Sequence, residues 1–158
     1  METVQLAPNL FFQTVPAICQ QDYVNALVLN SSGQALVFET PRQTSTGVYW
    51  HVLSHSLPCG SDPFTAVQDA LRHQTGYQTN HWSYLGSHVM AADQPTGASY
   101  FFCAQKVQPV HDLPPNDSSP GTAKWIPLTD LRYALLDGRI AIVSHALTVS
   151  LALLTLKL

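Results

Sequence analysis

Three of the seven histidines, His51, His55 and His73, fall between Trp50 and Tyr77, together with Cys59 and the carboxylates Asp62 and Asp69. His51, His55 and Cys59 are spaced H-x3-H-x3-C, a set whose imidazole and thiolate donors suit a soft transition metal. They would share one side only if a strand period ran unbroken through the turn, so separate surface or pocket histidines are the ordinary expectation. A second chemistry open to this stretch is direct anion binding, with Arg42, Arg72 or a protonated His73 supplying the charge. Against it, Arg42 reads as a solvated loop arginine and Arg72 as a solvent-facing one. Tyr49, Trp50, Trp82, Tyr100, Phe101, Phe102 and Trp125 offer rings for stacking a flat ligand, although most are needed to fill a core. Asp62 is better explained as a helix cap, and Asp69 belongs on the exposed side of the same helix.

The elements that must position these groups are legible in outline. Residues 24–29 (VNALVL) and 35–39 (ALVFE) are apolar, β-branched-rich runs joined by Asn30-Ser31-Ser32-Gly33, which predicts a β-hairpin. Residues 48–53 (VYWHVL) predict a further strand and residues 54–62, with Pro58 and Gly60, a loop. The helix that follows is clearly punctuated: Asp62 at the cap, Pro63 at the first position and Gly76 just past the end. Its expected core stripe is Phe64, Val67 and Leu71. Residues 82–90 and 99–107 read as strands, 109–121 as an exposed loop and 124–127 as a short closing strand. A short helix near 130–136, a break at Gly138 and a second helix at about 140–156 end the chain. Strands, helix, strands, helix is the order of an α/β (α+β) domain, a mixed β-sheet sandwiched between helices.

Composition narrows the function classes. A chain of 158 residues, 46 % apolar, suits a single domain over residues 22–158 after an N-terminal lead-in over 1–21. Charged residues make up 11 % and the net charge is −3, with no basic block, so neither nucleic acid nor an anionic membrane is an expected partner. Three cysteines without a C-x-x-C pair, and no positive stretch ahead of Leu10-Phe11-Phe12, fit a reduced cytoplasmic protein with no secretory signal. The apolar segment 140–158 is interrupted by Ser144, His145, Thr148, Ser150 and Thr155, which favours a buried core or dimer helix over a membrane anchor.

Taken whole, the stretch WHVLSHSLPCGSDPFTAVQDALRHQTGY from Trp50 to Tyr77 resembles the Nudix box. That pattern is a glycine, five residues, a glutamate, seven residues, then R-E-U-x-E-E-x-G-U, where U is a bulky aliphatic residue. Setting its last glycine on Gly76 fixes the register without a gap, with Leu71 at the inner U and Tyr77 at the outer. Trp50, Gly60 and Ala66 agree with the same register. Downstream, Tyr84-Leu85-Gly86, residues 97–104, Trp125-Ile126-Pro127-Leu128 and Asp137-Gly138 are similar to the layout of the ADP-ribose and sugar-nucleotide pyrophosphatases of the Nudix hydrolase superfamily. The resemblance covers about residues 22–156.

The box is degenerate. Its register puts Ser61, Ala70, His73 and Gln74 at the four glutamate positions, Asp69 at the arginine and His55 at the leading glycine. In active members, the resemblance implies, those glutamates hold magnesium while water attacks a diphosphate. Positions 70, 73 and 74 lie three and four apart, so one helix face collects the ligands. Here that face offers a methyl, an imidazole and an amide. The expectation is a Nudix fold with no catalytic residue, no metal and no cofactor, leaning away from an enzyme. It would bind a nucleotide-like or phosphorylated small molecule, or a protein partner, with Arg42, Trp50, His51, His55 and His73 as ligand candidates. The alternative is an active pyrophosphohydrolase, using magnesium, whose groups have moved outside the box, for instance to Asp112 and Asp117. A further alternative is a structural, homodimeric interaction protein.

Overall fold

The computed structural model describes residues 3–7, 10–13, 21–44, 46–90, 97–110 and 120–158. In chain order the strands are β1 (Thr3–Ala7), β2 (Leu10–Gln13), β3 (Asp22–Val28), β4 (Ala35–Pro41), β5 (Val48–His51) and β6 (Leu53–Leu57). Helix α1 (Pro63–Thr75) precedes β7 (Tyr77–Gln78), β8 (His81–Val89), β9 (Ala98–Gln105), β10 (Gln108–Pro109) and β11 (Thr122–Ile126). Helices α2 (Leu128–Asp137) and α3 (Val143–Thr155) close the order. The main sheet runs β6-β3-β9-β8, with β3 antiparallel to β6 and parallel to β9. A three-stranded antiparallel sheet, β11-β4-β5, stands beside it, and β1-β2 and β7-β10 are small ladders.

Period-two alternation along β3 and β9 separates two cores. Val24, Ala26, Val28, Phe102 and Ala104 face Val67, Ala70 and Leu71 of α1. Leu27, Leu29 and Cys103 join a second core with Val149 and Ala152 of α3. Successive strand residues point to opposite faces, so α1 and α3 cover opposite sides of the main sheet. The mixed sheet between helices is therefore present as expected.

Three sequence expectations are corrected. Residues 24–29 and 35–39 are joined by the anticipated turn, in which the Asn30 amide donates to the Gln34 carbonyl and Gly33 adopts φ +77. They nevertheless form no hairpin: after the isolated bridge Leu29↔Ala35, β3 enters the main sheet and β4 the smaller one. Both runs are buried on both faces. Each accordingly takes neighbours on both sides, β6 and β9 for one and β11 and β5 for the other.

Residues 48–53 are two strands, divided at Val52. The Val52 amide donates to Nδ1 of His145 at 3.2 Å and so is diverted from any strand ladder. The chain then continues in β6 through residues expected to be loop, and the turn shrinks to 58–61, closed by the Ser61 amide on the Pro58 carbonyl.

Helix α1 begins and ends as read. Asp62 accepts from the Thr65 amide, Pro63 opens the helix and Gly76 is left-handed at φ 72. Its stripe differs, because Phe64 is 42 % exposed and reaches outward to the rings of Trp82 and Phe102, while Ala70 joins Val67 and Leu71 in the core. Helix α3 spends its buried face, including His145, Thr148, Val149 and Ala152, on this chain's own sheet. No helix among the described residues is long and apolar enough to cross a membrane.

Candidate functional site

Burial of Val67, Ala70 and Leu71 against the main sheet sets the rotation of α1, and that rotation gathers the box positions. Ser61, Asp69, Ala70, His73 and Gln74 line one open cleft of about 680 Å³, and His55 faces them from β6. The side chains nevertheless differ in availability. Ala70 presents a methyl that is 5 % exposed. Gln74 donates its amide N–H to the Ser54 carbonyl at 3.2 Å, which ties α1 to β6. Ser61, His55, Asp69 and His73 are exposed. Asp62 also borders the cleft, but its Oδ2 is held at 2.9 Å by both the amide and the hydroxyl of Thr65.

The H-x3-H-x3-C reading does not assemble. The division at Val52 puts His51 in the smaller sheet and His55 in the main one, with Cys59 exposed in the turn beyond. Among the described residues no three His, Cys, Asp or Glu side chains stand together as a metal-binding group. His51 opens on a different hollow, beside Thr40 and Tyr49, and its Nε2 lies 2.8 Å from the Thr40 hydroxyl. Its ring meets His145 edge-on at 5.7 Å. Burial lowers the His51 pKa.

Two further ligand candidates are structural. Trp50 is 7 % exposed, donates its indole N–H to Glu39 at 2.9 Å and is covered by the Arg139 guanidinium at 4.2 Å, so no ring face is left to stack a ligand. Glu39 in turn pairs with Lys124 at 2.5 Å, and Lys124 first, then Trp50, lowers its pKa. Arg42 is not a free anion binder: it lies 4.6 Å over the Tyr49 ring and donates to the Gly138 and Val48 carbonyls, tying β4 and β5 to the turn after α2. Arg72 is exposed, as read, and points away from the box cleft into a separate cavity. Asp112, Asp117 and Cys19 lie outside the described residues.

His145 is the residue whose role the sequence reading missed. It is 6 % exposed, and burial, followed by the neighbouring His51, pushes its pKa down to about 4. Nδ1 accepts from Val52, so the neutral tautomer carries its proton on Nε2. Its only sequence signal was a polar interruption in an apolar helix.

No family model matches the sequence, and no curated protein does. Solved structures do. An ADP compounds hydrolase superposes with TM-score 0.69 at 15 % identity, over 87 % of this chain and 73 % of that one. A Nudix hydrolase from Nitrosomonas europaea gives 0.63 at 14 %, over 86 % and 90 %. A MutT structure, from work on the Aliivibrio salmonicida and Vibrio cholerae proteins, gives 0.53 at 15 %, over 72 % and 85 %. Likeness at such low identity is likeness of backbone architecture, and the architecture of this chain is the Nudix hydrolase fold.

Proposed function

We propose that this protein is a non-hydrolytic member of that architecture, binding a nucleotide-like or phosphorylated small molecule in the box cleft without magnesium. One observation carries the reading: the positions that should supply four carboxylates supply a hydroxyl, a methyl, an imidazole and an amide, gathered on one cleft. Magnesium takes near-octahedral oxygen ligands at about 2.0–2.1 Å and is usually held through carboxylates. Of the carboxylates bordering the cleft, Asp62 is committed to the helix cap and Asp69 is solvated, so the donor set does not fit that ion. His55 and His73 are the groups best disposed to meet a ligand. With one thiol exposed at Cys59 and one buried at Cys103, a reducing, cytoplasmic setting suits the chain.

The test uses the purified protein with ADP-ribose, dinucleotides and nucleoside triphosphates. The expected result is no product with magnesium or manganese, together with a thermal shift from at least one of these compounds in the presence of a chelator. That shift should shrink in His55→Ala and His73→Ala. Robust metal-dependent turnover would overturn the proposal in favour of the hydrolase alternative with catalytic groups outside the box. A homodimer is a second proposal, supported by the exposed apolar side chains Tyr133 and Leu136 on α2 and Val143 and Leu154 on α3. Light scattering should then give twice the chain mass, reverting to a monomer in Leu136→Glu.

A further inference from the structure

Helix α1 has a second flank. Opposite the box cleft, a cavity of about 590 Å³ lies between α1, the turn joining β7 to β8 and the turn joining β9 to β10. Arg72, His81 and Lys106 line it, with Leu71 and Trp82 as apolar wall and Asp69 on the crest that it shares with the box cleft.

The distribution of charge singles this cavity out. The chain has seven Lys and Arg residues, and four of them are engaged within the molecule. Arg42 holds the Gly138 carbonyl, Lys124 holds Glu39, Arg132 holds the Leu158 carbonyl and Arg139 holds Asp137. Arg72, Lys106 and Lys157 have no side-chain partner among the described residues, and two of these three enter the same cavity. The ring of His81 likewise has no partner among the described residues. A single carboxylate, Asp69, opposes them, so the cavity is positive in a protein of net charge −3.

Its wall is fixed as well. The Trp82 indole N–H donates to the Thr79 carbonyl at 3.1 Å, and the Thr79 hydroxyl donates to the Gln105 carbonyl at 2.5 Å. The ring is therefore held in place beside the cations rather than free to turn away. A guanidinium offers a planar fork and an ammonium a mobile point charge, a pairing that suits phosphoryl oxygens in the absence of a metal.

We infer that this cavity is a second, metal-independent site for a phosphorylated small molecule, its phosphoryl group on Arg72 and Lys106 and its apolar part against Trp82. The site is separate from the box cleft, and neither proposal depends on the other.

Calorimetric titration of the full chain, with a chelator present and at low ionic strength, tests it using inorganic phosphate and adenosine monophosphate as probes. Adenosine monophosphate should bind more tightly than inorganic phosphate. Arg72→Gln and Lys106→Gln should each weaken it about tenfold, and Asp69→Asn should tighten it. Lys157→Gln, which removes the third cation without a side-chain partner among the described residues and lies outside the cavity, should leave it unchanged. Lys106→Gly separates binding from folding, because Lys106 sits at φ 53, where glycine is relaxed and a residue with a Cβ is not. That variant should melt higher and bind less. Equal binding of the probe by the wild type and by both Arg72→Gln and Lys106→Gln would overturn the site, as would no binding of either probe. Loss of binding in His73→Ala would overturn it by moving the ligand to the box cleft. Affinity rising with the length of a single-stranded oligonucleotide would overturn it in favour of a nucleic-acid surface.

Discussion

His145 joins two parts of the chain that sequence distance separates, and its proton inventory makes the junction pH-sensitive. With its pKa near 4 in the folded state and about 6.5 when unfolded, the unfolded chain binds the extra proton first as pH falls. Stability from this group is complete above pH 6.5 and is lost progressively between 6.5 and 4. Below that it levels off, after a loss on the order of 3 kcal/mol. His51, also lowered by burial, acts in the same direction. His145→Ala should cost about 1–3 kcal/mol at pH 7.5, because the buried Val52 amide loses its acceptor. The same variant should flatten the fall in stability between pH 6.5 and 4. Urea unfolding at several pH values checks both effects, and an unchanged pH profile in His145→Ala would show that the acid sensitivity arises elsewhere.

At the scale of elements, α1 depends on its two ends, where the caps fix the span of the helix that borders both cavities. Asp62→Ala removes the acceptor shared by the Thr65 amide and hydroxyl and should cost about 1 kcal/mol. Gly76→Ala forces a Cβ into the left-handed cap and should cost a similar amount, about 1–2 kcal/mol. Urea midpoints measure both, and the two should add because the sites are at opposite ends of the helix. These local devices are also what made α1 readable in advance: Asp, Pro and Gly act within a few residues of where they stand. The hairpin expectation failed for the converse reason. Composition at Asn30 to Gly33 reports the turn, but which sheet each flanking strand enters depends on β6, β9, β11 and β5. The division at Val52 likewise depends on His145, 93 residues away along the chain. Within the site, the box register found the cleft because helix spacing is local, whereas the cation cavity was hidden. Its Arg72, His81 and Lys106 converge only once β7 to β10 have folded around α1.

For the whole molecule, the question is whether the backbone that brings Ser61, His73 and Gln74 to one cleft still presents them as a metal site would. The three positions line that cleft together although none of them is a carboxylate, so the arrangement does not depend on metal for its assembly. Acids placed at these positions should then hold the ion. A triple variant, Ser61→Glu, His73→Glu and Gln74→Glu, would set three carboxylates on the cleft. Ala70 is left alone because at 5 % exposure a glutamate there would carry its charge into packed surroundings. If the variant binds magnesium with a dissociation constant of about 1 mM, about 10 mM of the ion adds about 1.4 kcal/mol of stability. In a domain of this size that raises the melting temperature by about 3–5 °C, against no shift in the parent chain. Losing the tie from Gln74 to the Ser54 carbonyl should lower the stability of the variant before metal is added, so the comparison is each protein with and without magnesium. A variant that folds and still ignores magnesium would mean that the cleft does not offer the ligand geometry this ion needs. In that case its size and openness would be all that the fold contributes to binding there.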